Sequence, residues 1–130
     1  VECGEDFAGP LRARFPAARV VQIDAARLPH CPLPPEGRFA SVVSGLPLLS
    51  MRPRKVMAIL CAAFRTLRPA GAFYQFTYLP RCPVPRAVLD RLGLQATRIG
   101  GTLLNLPPAT VYRIERKPTP VTQPFTLHRT

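Results

Sequence analysis

Phe39-Ala40-Ser41-Val42-Val43-Ser44-Gly45, running on into Leu46-Pro47-Leu48-Leu49-Ser50-Met51, is the stretch on which the fold turns. Its short β-branched apolar core reads as a buried strand. Gly45 and Pro47 stop it, because proline cannot donate to a central ladder. Ser50 and Pro53 then mark a helix start, after which Val56, Ile59, Leu60, Ala63, Phe64 and Leu67 recur at helical spacing on one face. Pro69-Ala70-Gly71 ends that helix, and Ala72 to Tyr78 has the aromatic, β-rich look of a second strand.

Working outward from this strand-helix-strand unit, Ala18 to Asp24 reads as a further strand ending in an acid, followed by a Pro-rich loop from Pro29 to Gly37. Glu5 to Phe15 has helical character, but a mid-helix proline costs about 3 kcal/mol, so the regular helix is expected to begin near Pro10. On the C-terminal side, a short helix is expected over Pro85 to Leu92. Two β-rich segments, Gln95 to Leu104 and Ala109 to Glu115, are joined closely enough to form an antiparallel pair. Strands alternating with helices make an α/β chain without internal repeats. Residues 118–130 lack periodicity and read as a disordered tail.

The 130 residues fit one domain, with 47% hydrophobic and 19% charged residues. Eighteen Lys+Arg against seven Asp+Glu give a net charge of +11, which favours an anionic partner, nucleic acid or an acidic membrane face. No run approaches the ~18 to 20 apolar residues of a membrane span. The acidic start Glu2-Cys3-Gly4-Glu5-Asp6 is not a signal-peptide n-region. Cys3, Cys31, Cys61 and Cys82 are widely spaced and without the pairing that structural zinc requires, so no metal is expected and a reducing compartment is the simple reading. His30 and His128 have no partner at meaningful spacing.

The order of elements resembles a class I S-adenosylmethionine-dependent methyltransferase. More narrowly, the stretches Val42 to Met51, Phe64 to Gly71, Tyr74 to Tyr78 and Asn105 to Tyr112 resemble the bacterial phospholipid N-methyltransferases, which convert phosphatidylethanolamine toward phosphatidylcholine. The similarity runs from about Val1 to Arg116, which makes residues 1–117 a partial methyltransferase domain. The resemblance implies a Rossmann-like sheet with a C-terminal antiparallel hairpin and S-adenosyl-L-methionine as cofactor.

It also implies roles. Glu2 would accept the ribose hydroxyls of the cofactor, as acids do in dinucleotide sites. Asp24 would accept the adenine amino group, with the Ala25 N–H facing a ring nitrogen. A surface acid or a helix cap is the competing use of each carboxylate. The loop Ser44-Gly45-Leu46-Pro47 would hold the substrate amine through the carbonyls of Ser44 and Gly45, turned outward by Pro47, with Ser44 also beside the cofactor. Tyr78 would face the substrate ammonium through its ring, although a half-buried strand tyrosine is equally in keeping with its place. Adenine-methylating relatives carry an aromatic where Leu48 stands, which argues for an aliphatic head group over a nucleobase.

The family's first strand and Gly-rich turn, which cradle the methionine part of the cofactor, have no counterpart after Glu2, so the chain is expected to be a truncated or degenerate form. The expected partners are a phospholipid head group and an anionic membrane surface, on the cytoplasmic inner face as a peripheral protein. Nucleic acid ranks below them. RNA adenine N6-methylation and a catalytically dead lipid- or RNA-binding remnant are the alternatives.

Overall fold

The computed structural model describes residues 1–32, 34, 37–104 and 106–120. Asn105, and 121–130 of the expected tail with His128, lie outside the described residues. Among the described residues, three α-helices and four strands carry most of the architecture: α1 (Glu5–Arg14), β1 (Phe39–Ser44), α2 (Pro53–Thr66), β2 (Leu67–Thr77), α3 (Arg86–Arg91), β3 (Leu94–Thr102) and β4 (Ala109–Arg116), α3 being a short turn and a half. The strands form one mixed sheet in the order β1-β2-β4-β3. β1 runs parallel to β2, and β4 runs antiparallel to both β2 and β3. The expected fold class and the terminal hairpin are therefore present.

The β1–α2–β2 crossover follows from the pattern that predicts it. Val56 and Leu60 of α2 and Leu67 at the start of β2 are fully buried in one apolar cluster with Phe73 of β2 and Ile114 of β4, which pair across the sheet. Each such side chain contributes about 1.5 to 3 kcal/mol on burial. Arg52 precedes α2 with extended backbone, and Pro53 occupies the first turn, where a missing N–H is harmless. Ser50 is not the cap expected of it, since Leu48–Ser50 form a 3-10 turn instead.

Four expectations are corrected. Ala18 to Asp24 does not form a regular strand; it makes a single parallel bridge, Glu2 with Gln22, because only that short segment lies alongside. A strand exists only by its partner. α1 starts at Glu5 rather than Pro10, since the Gly4 carbonyl accepts from the N–H groups of Phe7 and Ala8, and Ala8 is buried. Pro10 therefore sits inside the helix.

β2 begins at Leu67, with Pro69-Ala70-Gly71 inside it. Between Phe39 and Ser41 β1 advances by less than β2 does between Leu67 and Ala72, so the proline falls in an irregularity of the ladder. Gly71 is needed there, as a Cβ would come within 3.0 Å of the carbonyl oxygens of Ala40 and Arg68. Finally, β1 is an edge strand and not a buried one: Val43 is 81% exposed. The Pro-rich segment also opens with a 3-10 turn, Ala25–His30.

Candidate functional site

Residues of β1 and of the two segments that meet in the Glu2–Gln22 bridge line one cleft of about 730 Å3, together with Ile59 and Ala63 of α2. Five of the residues expected at the site line it: Glu2, Ala25, Ser44, Gly45 and Leu46. Asp24, Pro47 and Tyr78 do not. The walls are mainly apolar, with Ile23 and Leu28 beside Ala25 and Val42 beside Ser44. Volume and character match a small-molecule site, a concave apolar space with few polar groups.

Glu2 folds back on its own loop, accepting the Gly4 N–H at Oε1 over 2.7 Å. Among the described residues nothing donates to its Oε2. Asp24 is engaged at both oxygens. Oδ1 accepts the Ala26 N–H over 2.9 Å and so caps the 3-10 turn Ala25–His30, while Oδ2 pairs with the Lys55 ammonium of α2. The hydrogen bond from Lys55, then that from Ala26, holds the Asp24 carboxyl below the usual range, since both favour its charged form. The helix-cap use of Asp24 is thus realised in this structure.

The loop after β1 is held tightly. Ser44 is buried and its Oγ accepts the Leu46 N–H over 3.2 Å. The Leu46 carbonyl accepts twice, from the Leu48 N–H and from Nε2 of Gln75, each over 2.8 Å. Both of its lone pairs are therefore used. Leu48 is 2% exposed and belongs to the core, so the position where a stacking aromatic would stand points inward.

Gln75 and Lys55 are the residues whose roles sequence reasoning missed. Gln75 is fully buried; besides the Leu46 carbonyl its Nε2 donates to the Phe76 carbonyl over 2.7 Å, and its Oε1 has no partner. A glutamine within an aromatic, β-rich run was the available signal, since an amide enters a core only where something takes its hydrogen bonds. Lys55 gave none, as one of many basic residues. Tyr78 stands at the end of β2, 55% exposed and edge-on to Phe76. His30 ends the 3-10 turn. Among the described residues no three His, Cys, Asp or Glu side chains cluster as metal ligands, and no helix is long and apolar enough to cross a membrane.

No family model matches the chain, and no curated protein matches it. Solved structures do. An rRNA methylase from Streptococcus thermophilus superposes with a TM-score of 0.58 at 13% identity, over 88% of this chain and 70% of that one. NSun6 from Pyrococcus horikoshii, solved with SFG, gives a TM-score of 0.54 at 12% identity, over 86% of this chain and 38% of that one. The chain has a Rossmann-like methyltransferase fold. Likeness this distant establishes the fold alone.

Proposed function

We propose that this methyltransferase-fold chain binds S-adenosyl-L-methionine in the cleft and directs methyl transfer to the amine of a phosphatidylethanolamine-type head group. The observation that carries the reading is that Glu2, Ala25, Ser44 and Gly45 all line a single cleft. The fit to the cofactor is supported by the free Glu2 Oε2, which suits a pair of ribose hydroxyls, and by the apolar wall around Ile23, which suits an adenine ring. SFG, carried by one of the structural neighbours, is an analogue of the same cofactor. When bound, the cofactor supplies an electrophilic methyl group on a sulfonium.

The chain's own part is positioning. Carbonyls at Ser44 and Gly45 would accept the N–H groups of a neutral amine and aim its lone pair along the line of attack. Gln75 and the Ser44 hydroxyl fix the loop that carries them, so little reordering remains when the substrate arrives. Asp24, being committed to Ala26 and Lys55, would serve the adenine edge by holding Ala25 in place, and would meet the amino group only by parting from Lys55.

An aliphatic amine is favoured over a base because Leu48 lies in the core, leaving no aromatic in the loop to contribute the ~1 to 3 kcal/mol that stacking gives per base. RNA adenine remains the second reading, favoured by the charge of +11. The test is incubation of the chain with methyl-labelled cofactor and either phosphatidylethanolamine vesicles or RNA. Label in the lipid amine is expected. Label in RNA adenine and not in lipid would replace this reading with the second, and label in neither would remove the enzymatic one.

A further inference from the structure

The register of the sheet gathers three loops at one end. Ser44, Gln75, Tyr112 and Arg98 form one row across all four strands, and one step beyond it Thr77, Thr110 and Gly101 form another. The described residues past these rows emerge on the same side: 45–54 after β1, 78–82 after β2, and 102–104 with 106–108 between β3 and β4. α2 starts there too, because it must run back before β2 can lie parallel to β1.

That end is apolar where a surface is normally polar. Leu103, Leu104 and Leu106 are 85%, 98% and 99% exposed at the hairpin tip, and Tyr78 and Leu79 stand exposed on the neighbouring loop. A cluster of large apolar side chains at one protruding end marks a contact surface, unlike scattered ones. The charge around it has one sign. The three stretches contain no Asp or Glu, while Arg52, Arg54 and Arg81 are all exposed on them. Asp24, which meets the first turn of α2, is paired there with Lys55.

We propose that this end of the sheet docks on an anionic lipid bilayer, with the leucines of the β3–β4 hairpin entering the headgroup region and the arginines resting on lipid phosphates. Leucines at a tip with basic residues behind them have the two components that interfacial binding needs, buried apolar area and attraction to anionic lipid. A polynucleotide would leave the leucines in water. The inference rests on the head-group reading above in one respect: the loop Ser44–Pro47 opens at the same end, so docking would bring that loop to the membrane surface.

The chain has no tryptophan, so Leu104→Trp is a single reporter at the tip and Arg91→Trp is one on α3, at the opposite end. Both are mixed with phosphatidylcholine vesicles containing phosphatidylglycerol. Blue-shifted emission from Leu104→Trp alone is expected. The triple variant Leu103→Ser, Leu104→Ser, Leu106→Ser alters only exposed side chains, and its vesicle retention should fall at least about tenfold from the loss of apolar insertion. Arg52→Ser with Arg81→Ser should flatten the salt dependence of retention.

Shifts from both reporters or from neither, unchanged retention of the triple variant, or binding to RNA with none to vesicles would overturn the proposal. Docking without methyl transfer would sink the proposed activity and leave this surface standing. Methylation of detergent-dispersed head groups by a chain that vesicles do not retain would do the reverse.

Discussion

Nε2 of Gln75, at the centre of the sheet, donates a 2.8 Å hydrogen bond to the carbonyl of Leu46 in the loop that follows β1. The same nitrogen holds the Phe76 carbonyl, while Oε1 is buried without a partner, which ordinarily costs about 1 to 3 kcal/mol. A methionine would fill the same space and remove that orphan, yet it would free the loop. Gln75→Met is therefore expected to fold with stability changed by no more than about 1 to 2 kcal/mol, while amide exchange over Leu46 to Ser50 accelerates. Hydrogen exchange followed residue by residue checks this. Equal acceleration across β1, β2 and β4 would mean that Gln75 merely supports the sheet.

Asp24 and Lys55 join the 3-10 turn at one wall of the cleft to α2 beneath it. The folded-state pKa of Asp24 is lowered, chiefly by the hydrogen bond from Lys55. The pair's contribution is then complete above the unfolded carboxyl value of about 3.9, and it is lost as pH falls through the lowered folded value. The two side chains are 41% and 40% exposed, so solvent screening limits the pair to about 1 kcal/mol or less. Lys55→Met should melt below the wild-type chain at neutral pH, and the difference should vanish in strong acid. A gap that persists at pH values below both carboxyl pKa values would mean that Lys55 acts through packing alone.

Arg116 closes the far end of α2. Its Nη2 donates to the Phe64 carbonyl over 2.6 Å, its Nη1 to the carbonyls of Arg68 and Pro69 over 3.0 Å, and the guanidinium lies 5.0 Å above the Phe64 ring. The helix C-terminus leaves the Phe64 carbonyl without an intrahelical partner, and the rigid guanidinium fork reaches it together with the Arg68 and Pro69 carbonyls of β2, a spread that the compact ammonium of lysine does not match. Arg116→Lys is expected to cost about 1 to 2 kcal/mol, or roughly 4 °C of melting temperature per kcal/mol. An unchanged thermal midpoint would show that water replaces these bonds without loss.

The parts of the fold legible in the sequence are those whose pattern has one physical solution. The α2 face from Val56 to Phe64 has the spacing of a helix laid on a sheet, and Ala109 to Glu115 needs the antiparallel partner that lies next to it in sequence. Ala18 to Asp24 was illegible because composition states a preference for strand but not whether a neighbour is there to pair. Pro69 was misread as a stop because a bulge that tolerates it depends on the opposing strand. At the site, the family resemblance singled out Glu2 and Ser44, which line one cleft, but the commitment of Asp24 to Lys55 joins residues of two separate elements, which no local pattern encodes.

Leu48 offers a test of why the loop carries no aromatic. It is 2% exposed and packs within the cluster that includes Leu60 and Phe73. A larger ring at that position cannot swing into the cleft without dragging the loop, because Leu46 is pinned from Gln75 and Leu48 itself donates to the Leu46 carbonyl. Leu48→Tyr is consequently expected to overpack the core and lower stability by about 1 to 3 kcal/mol, with no gain in affinity for adenine-containing RNA. Thermal melts alongside RNA titrations at one fixed salt concentration read both effects. A stable Leu48→Tyr chain that binds such RNA more tightly would show that the loop can present a ring to a base, and would shift the substrate assignment from the aliphatic amine to RNA adenine.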